Sequence, residues 1–301
     1  MKKNLNNLVG DIYSLLDTLT EGNDIGITDK DYEDFGKEMA DALKHWATPQ
    51  DRTGKANLRM SNIGKPERRL WFDAHTPADT TEKLQASTQI KFLYGHLLEV
   101  LLLFFVKLSG HKLSSMQKEI TVDGIKGHMD CKIDGEVVDV KTASGYAFKK
   151  FKEGTLAEND AFGYLAQLAG YEKAEGTSKG GFLVMNKETG ELTMFIPDDM
   201  DKPNIKSKIK NIKKALKKNT PPADLCFKPV ADGTKGNEKI HKNCAWCPYK
   251  FECFEDSNNG KGLRVFQYSK GYAFLTKVVV QPKVQEVDHE FQALQTDTET
   301  I

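Results

Sequence analysis

Apolar and polar positions alternate over residues 127–141, in the middle of the chain. An alternation with a period of two predicts β-strands. The dipeptide Asp134-Gly135 is typical of a two-residue type I′ turn, because both residues tolerate positive φ. This turn predicts a hairpin in which Asp130 lies directly across from Asp139. The other pairs of the register are Ile133 with Glu136, Lys132 with Val137, Cys131 with Val138 and His128 with Lys141. The predicted core face carries Met129, Cys131, Ile133, Val138 and Val140.

The remaining pattern predicts both helices and strands. Helical spacing of apolar residues, or helix-forming composition, occurs over residues 31–46, 82–108, 159–173 and 202–218. Strand-like runs occur over residues 118–122, 180–186, 191–196 and 274–280. We expect an N-terminal helical extension, a central core, a cysteine module and a C-terminal tail, over residues 1–57, 58–218, 219–256 and 257–301. The last dozen or so residues of the tail are expected to be disordered.

Composition excludes some classes of protein. The 43 basic and 43 acidic side chains cancel, so net charge does not indicate a nucleic-acid binder. A hydrophobic content of 39% and a charged content of 29% are typical of a soluble globular protein. The most apolar run, residues 97–106, contains Glu99 and is too short to span a bilayer, so we expect no membrane segment. Polar residues interrupt the start of the chain, so we expect no signal peptide and a cytoplasmic protein.

The hairpin carries candidate chemistry on its second face. Two carboxylates that face each other, Asp130 and Asp139, are destabilising unless a cation lies between them. Hard carboxylate oxygens suit Mg²⁺ or Mn²⁺, which can polarise a phosphate and lower the pKa of a bound water. Lys141 shares this face and can offset charge in a transition state. The pattern therefore indicates hydrolysis of phosphodiesters, or else a surface hairpin whose charges are merely solvated.

Other polar residues leave two interpretations each. Glu99 is a lone carboxylate in an apolar helix, so it either faces solvent at the helix edge or binds a metal. The basic group formed by Lys65, Arg68 and Arg69 either contacts phosphate or is a solvated helix start. Tyr164, Gln167 and Tyr171 recur at i, i+3 and i+7 on one helix face, and periodicity alone favours a half-buried amphipathic stripe.

Four cysteines cluster late in the chain with the spacing C-x17-C-x2-C-x5-C. Both zinc and iron–sulfur clusters accept four thiolates, so the spacing predicts a bound metal centre and a reducing compartment. Cys131, on the core face of the hairpin, is expected to be a buried thiol. The predicted ligands are Cys226, Cys244, Cys247 and Cys253.

The order of these motifs resembles the RecB-type branch of the PD-(D/E)xK nucleases, over residues 58–256. The resemblance is greatest to the CRISPR-associated-type exonucleases with a C-terminal cysteine cluster and to their bacteriophage relatives. It implies an α/β fold with a restriction-endonuclease-like core, in which helices flank a central mixed sheet. The motifs are Gly95-x-x-x-Glu99, Gly127-x-x-Asp130, Asp139-x-Lys141, Gln167-x-x-x-Tyr171 and the C-x2-C-x5-C spacing.

The resemblance also implies roles for these residues. Asp130, Asp139, Glu99 and the Val140 carbonyl would hold Mg²⁺ or Mn²⁺, with Lys141 as the catalytic lysine. Gln167 and Tyr171 would position DNA near the site. Relatives carry a first cluster cysteine within residues 61–71, where this chain has Lys65, so Cys226 would supply the fourth ligand. The implied cofactor is a [4Fe–4S] cluster, and structural Zn²⁺ is the alternative.

The expected function is therefore that of a Mg²⁺-dependent deoxyribonuclease that digests DNA from its ends. The resemblance implies a bacteriophage protein of the host cytoplasm that acts in recombination, genome processing or host DNA degradation. A single-strand annealing or recombination protein would be its partner. Two alternatives stay open: a structure-specific endonuclease on the same core, and a non-catalytic DNA-binding module of a larger assembly.

Overall fold

A computed structural model of the chain describes residues 2–48, 58–76, 86–269 and 271–288. The described chain divides into two compact units. Unit 1 contains residues 2–48, 58–65 and 86–213. Unit 2 contains residues 66–76, 214–269 and 271–288. Two predictions, the start of the second helix at residues 82–85 and disorder at the C-terminal end, lie outside the described residues.

The predicted helices and strands are present in the predicted order within the described residues, among further elements that the sequence pattern did not predict. The helices are α1 Leu8–Thr20, α2 Asp29–Ala47, α3 Glu67–His75, α4 Ala86–Leu108, α5 Gly145–Lys152, α6 Tyr164–Glu175, α7 Ile205–Leu216, α8 Lys242–Ala245, α9 Lys250–Cys253 and α10 Ser257–Gly260. The strands are β1 Leu113–Ser114, β2 Lys118–Val122, β3 Ile125–Met129, β4 Cys131–Ile133, β5 Glu136–Ala143, β6 Gly181–Asn186, β7 Leu192–Phe195, β8 Val230–Asp232, β9 Asn237–Lys239, β10 Arg264–Tyr268, β11 Gly271–Lys277 and β12 Glu286–Val287.

Unit 1 is built on a sheet of five strands in the order β1-β4-β5-β6-β7. Strands β5 and β6 are parallel and the other neighbours are antiparallel. Helices α4, α5 and α6 pack against β5. This architecture confirms the predicted α/β fold class, a central mixed sheet flanked by helices.

The predicted turn and most of the predicted register are confirmed. Asp134 and Gly135 have φ of +52° and +95°, as a type I′ turn requires. Cys131 pairs with Val138, and the neighbouring pairs follow the same register down to the turn. All five predicted core-face residues are buried, because their side chains alternate inward as expected: Met129, Cys131, Ile133, Val138 and Val140.

The pairing predicted beyond Asp130 is wrong. His128 does not lie across from Lys141; it pairs with Glu119, in a separate two-stranded sheet of β2 and β3. The reason is that the ladder of the hairpin ends at Cys131, where the chain leaves one sheet for the other. Asp130 lies at this junction, and its backbone carbonyl accepts a hydrogen bond of 2.9 Å from the Gln117 N–H.

The longest helix of unit 1, α4, has 23 residues and is apolar enough, by length and composition alone, to cross a membrane. It packs against α1, α2 and β5. Its C-terminal half contributes Leu102, Leu103 and Val106 to the same core cluster as Leu8 and the hairpin residues Cys131 and Val138. Only this half of α4 therefore belongs to the core of unit 1, since Ile90, Phe92 and Tyr94 in its N-terminal half are exposed.

Unit 2 contains an antiparallel sheet of five strands in the order β12-β10-β11-β9-β8. Only one of these strands, residues 274–280, was expected in the tail, and the observed strand there is β11. The β10–β11 pair is a hairpin whose strands are rich in aromatic and β-branched residues, a signal that could have predicted it. The sheet packs its buried Phe274 and Val265 against Cys244 and Phe254.

Candidate active site and cysteine site

Strand β5 positions the first two candidate residues of unit 1. Asp139 and Lys141 are two residues apart, so both side chains project from the same face of the strand. The Lys141 Nζ atom lies 2.5 Å from the Asp139 Oδ2 atom. Asp139 is fully buried, and among the described residues its Oδ1 atom has no hydrogen-bond partner. A buried carboxylate oxygen without a partner is costly unless a ligand completes its environment.

Asp130 lies beside this pair because the chain crosses from β3 to β4 there. Its Oδ2 atom accepts a hydrogen bond of 2.8 Å from the Val140 backbone N–H. Burial and then the charges of Asp139 and Glu99 raise the pKa of Asp130 well above its ordinary value. The predicted meeting of Asp130 with Asp139 is therefore present, although the two residues are not paired in the ladder.

Glu99 reaches the same site from helix α4. Its Oε1 atom accepts a hydrogen bond of 2.8 Å from the Gln117 side chain. Burial and then the charge of Asp139 raise the pKa of Glu99 to about 7. Glu99 is half-buried on α4, so both interpretations, a helix edge facing solvent and a metal ligand, stay open. The carboxyl group lies within electrostatic range of Asp139.

Lys141 is the cation of this group. Burial disfavours its charge, but Asp139 and Asp130 more than offset that effect and raise the pKa of Lys141 above its usual range. The Nζ atom also lies 5.3 Å from the centre of the Tyr164 ring. Lys141 is consequently held as an ammonium that can donate hydrogen bonds and offset negative charge, and not as a neutral base.

The carboxylate site fits a divalent cation by its chemistry. Its side chains offer hard oxygen ligands, and one of these oxygens is buried and unpartnered. When all four side chains are ionised, three carboxylates and one ammonium leave two negative charges uncompensated. In the described part of the chain, no three His, Cys, Asp or Glu side chains are already gathered as a metal-binding group. To bind an ion together, the carboxylate side chains would have to move closer to one another.

Gln167 and Tyr171 are both buried, on helix α6. The Tyr171 hydroxyl donates a 2.8 Å hydrogen bond to the His128 carbonyl and accepts one of 2.9 Å from the Gln167 amide. His128 precedes Asp130 by two residues, so this pair supports the strand that delivers Asp130. The DNA contact expected of Gln167 and Tyr171 stays a prediction.

In unit 2, Arg68 and Arg69 lie on α3 and contact the cysteines. The Arg68 Nε atom donates to Cys253 Sγ at 3.1 Å, and the Arg69 Nη1 atom donates to Cys247 Sγ at 2.9 Å. Arg69 also pairs with Asp73 at 3.0 Å and lies over the Tyr249 ring. Both guanidiniums are thus engaged beside thiols, so the phosphate contact expected of them stays a prediction.

Lys65 lies outside this group. It belongs to unit 1, just before the start of unit 2, and its backbone N–H donates to the Asn62 carbonyl at 3.0 Å. The three residues that the sequence joined as one basic group are therefore divided between the two units. The phosphate contact expected of Lys65 also stays a prediction.

The four late cysteines all lie in unit 2 as free thiols, and like the carboxylates they are not already gathered as a metal-binding group among the described residues. Burial and then the charge of Cys253 raise the pKa of Cys226 to about 11. Burial and then the charges of the other three cysteines raise the pKa of Cys244 to about 12. The Arg69 backbone amide hydrogen-bonds to Cys226. Four thiols close enough to oppose one another's ionisation, with donors aimed at three of them, fit a thiolate-bound metal centre.

Two further residues reach the carboxylate site. Gln117 binds Glu99 from the loop before β2, and it belongs to no motif recognised in the sequence. Tyr164 lies against Lys141 from the start of α6; its helical spacing with Gln167 and Tyr171 was visible in the sequence, but its place beside Lys141 was not. Both reach the site only because the chain folds back onto β5.

No protein-family model and no curated protein matches the chain. Several solved structures are similar to it at low identity, two exonucleases among them. The alkaline exonuclease LHK-Exo from Laribacter hongkongensis is 16% identical, and the match covers 57% of this chain and 92% of that one with a TM-score of 0.38. The phage-related exonuclease from Haemophilus somnus 129PT is 14% identical, with 53% and 93% covered and a TM-score of 0.33. These likenesses are weak, so the functional argument rests on the residues of the site.

Proposed function

We propose that this protein is a metal-dependent DNA exonuclease. The observation that carries the proposal is the group of a buried Asp139 with the half-buried Asp130, Glu99 and Lys141, in which Asp139 keeps an unpartnered oxygen. Buried acids that disfavour one another's ionisation are typical of functional sites. The motif order over residues 58–256 supports a nuclease, and its resemblance to exonucleases favours attack at DNA ends.

The ligands of the proposed Mg²⁺ or Mn²⁺ would be the carboxylates of Glu99, Asp130 and Asp139 and the Val140 carbonyl. Such an ion supplies Lewis acidity toward the phosphate and lowers the pKa of a bound water. Lys141 donates hydrogen bonds to the oxygens that gain negative charge as water attacks phosphorus. The bond from phosphorus to the leaving sugar oxygen then breaks, and that oxygen takes up a proton. Gln117 keeps Glu99 oriented through its 2.8 Å hydrogen bond.

For the thiols of unit 2 we propose a [4Fe–4S] cluster, with Zn²⁺ as the alternative. The support is the C-x2-C-x5-C spacing and the presence of Cys226, Cys244, Cys247 and Cys253 in one unit. Arg68 and Arg69 would lie next to the ligands and hydrogen-bond to their sulfur atoms. Such neighbours orient ligands and offset their charge.

The biological setting is proposed from the motif resemblance alone. It is a bacteriophage protein in the cytoplasm of the host, acting on DNA in recombination, genome processing or host DNA degradation. A single-strand annealing or recombination protein would be its partner.

The test of the function is cleavage of end-labelled linear DNA beside closed circular DNA, with Mg²⁺ and with EDTA. We expect linear DNA alone to be digested, and EDTA to stop digestion. Lys141→Ala should reduce the rate by about 10²–10³-fold or more, because it removes a charge that stabilises the transition state. Binding of DNA should change little.

The matched control is Lys30→Ala, which removes an exposed lysine of α2 that pairs with Asp34. Circular dichroism checks that both variants are folded. A Lys141→Ala protein that cuts at the wild-type rate would contradict the assignment. Cleavage of circles would support the endonuclease, and binding without any cleavage would support the non-catalytic module.

A further inference from the structure

Phe162 is a solvent-exposed aromatic residue, with 66% of its surface accessible. It lies just before helix α6. Its ring stacks on that of Tyr164, with 5.5 Å between centroids and 22° between planes. The Tyr164 ring in turn lies 5.3 Å from the Lys141 Nζ atom. The half-buried Tyr164 ring therefore connects the exposed ring to the lysine of the carboxylate site.

The turn that carries Phe162 is held by several contacts. Asp160 accepts hydrogen bonds from three successive backbone N–H groups, those of Gly163, Tyr164 and Leu165, at 2.8–2.9 Å. Gly163 has a φ of +77°, which glycine adopts without strain. A side chain on Gly64 would overlap the backbone of Gly163, so the two chain segments touch. Phe162 is thus presented by a supported turn.

A pair of stacked aromatic rings with one outer face open to solvent can accept a third flat ring. In a nucleic acid every phosphodiester is flanked by bases, and aromatic side chains stack on bases with little regard to sequence. We propose that Phe162 is a stacking platform for a nucleobase close to the scissile phosphate. This inference rests on the proposed nuclease function and names the group that would hold the strand in register over Lys141.

The first test compares wild type with Phe162→Leu, Phe162→Tyr and Tyr32→Leu. Tyr32 is a matched control, since it is an exposed aromatic residue on α2, with 57% of its surface exposed. The probe is a fluorescent single-stranded oligonucleotide, with Ca²⁺ in place of Mg²⁺ to suppress cleavage. Loss of one base–aromatic stack should weaken binding by Phe162→Leu about 5- to 150-fold. Phe162→Tyr and Tyr32→Leu should bind like wild type.

The second test moves the change to the DNA. A series of oligonucleotides with one abasic nucleotide, placed at each position near the cleaved end, is digested with Mg²⁺. In wild type, one position should slow cleavage because its base no longer stacks. In Phe162→Leu, an abasic nucleotide at that position should slow cleavage no more than one at any other position. If Phe162 acts only in folding, the dependence of the rate on the abasic position should be the same as in wild type.

The outcomes separate the two proposals. If wild type digests DNA but Phe162→Leu matches it in affinity and in abasic profile, the stacking inference is wrong and the nuclease function stands. If wild type neither binds nor digests DNA, both fall together. If Phe162→Tyr is as weak as Phe162→Leu, a flat ring is not what the site needs, and the inference is again overturned.

Discussion

The carboxylate site of unit 1 and the cysteine site of unit 2 both place several acidic groups beside a smaller number of cationic side chains. They differ in which parts of the chain supply those cations. In the first, three carboxylates lie near one ammonium; in the second, four thiols lie near two guanidiniums. Fully ionised, each set leaves two negative charges, which a divalent or cluster charge would offset. Lys141 comes from the same strand as Asp139, whereas Arg68 and Arg69 come from a distant helix. The sequence alone therefore indicated that Lys141 lies beside Asp139, but it did not indicate that the two arginines lie beside the cysteines.

The largest effect should come from breaking the cysteine site. Cys244→Ser removes a ligand from a centre whose binding free energy is also folding free energy, on the order of 10 kcal/mol for structural zinc. We expect bound metal to fall to near zero and unit 2 to lose its cooperative thermal transition. Elemental analysis and visible absorption measure this, and absorption distinguishes iron–sulfur from zinc.

Cys131→Ala is the control for this variant, since Cys131 is a buried thiol in the core of unit 1. It should keep the full metal content. Wild-type metal content in Cys244→Ser would show that Cys244 is not a ligand.

The next effect concerns Glu99, whose carboxyl is disfavoured as an ion first by burial and then by the charge of Asp139. The pKa of Glu99 is raised from 4.5 to about 7, so the folded protein binds this proton more tightly than the unfolded chain does. This contribution is fully present below pH 4.5 and is lost as the pH rises to about 7. Without metal, the loss should reach at most about 3 kcal/mol.

Glu99→Gln should lack that part of the pH dependence and keep the hydrogen bond with Gln117. Thermal unfolding from pH 4.5 to 8, with and without Mg²⁺, measures the difference. Added Mg²⁺ should reduce the loss in wild type only. Identical profiles for the two proteins would show that the pKa of Glu99 is not raised by burial and by the charge of Asp139.

A smaller effect should follow from removing one guanidinium. Arg69→Gln takes away the 2.9 Å donor to Cys247 Sγ and the cation beside the thiolates. Loss of such a neighbour lowers metal affinity about 10- to 100-fold. A chelator competition gives the affinity, and the control is Arg264→Gln, since Arg264 pairs with Glu286 in the same unit. Full metal affinity with weakened DNA binding would instead favour the phosphate contact predicted from the sequence.

The smallest effect is expected from removing an uncharged hydroxyl group, that of Tyr171, which hydrogen-bonds to the strand that leads to Asp130. Tyr171→Phe removes the hydroxyl between Gln167 and the His128 carbonyl, which leaves buried polar groups without a partner. We expect the free energy of unfolding of unit 1 to drop by about 1–3 kcal/mol, with a modest loss of cleavage. Chemical denaturation measures it, and Tyr32→Phe, at an exposed position, should have no effect.

The parts of the fold that could be predicted are those with short-range causes. The Asp134-Gly135 turn sets the register of β4 and β5, and the register sets which residues face the core. Spacing along β5 sets Asp139 and Lys141 on one face. Helix α6 and the β6–β7 hairpin also follow from periodicity and turn residues. Each of these depends on neighbours within a few residues.

Long-range packing decided the rest. The chain changes sheets at Asp130, so His128 faces Glu119 and not Lys141, because strand β2 competes for β3. Sequence pattern left Glu99 with two interpretations, and the packing of α4 against β5 brings its carboxyl toward Asp139. The sheet of unit 2 joins strands from residues 230 to 287, of which one was expected.

The amino-acid sequence by itself determined the local geometry of the acids and the lysine, since a strand with a tight turn has one register and one alternation. Tertiary structure alone decided which charges meet: Glu99 with Asp139, Gln117 with Glu99, and the arginines of α3 with the thiols. The physical reason is that the electrostatic energy of two groups depends on the distance between them in space. Burial strengthens this energy, and side chains become buried only when the chain has packed.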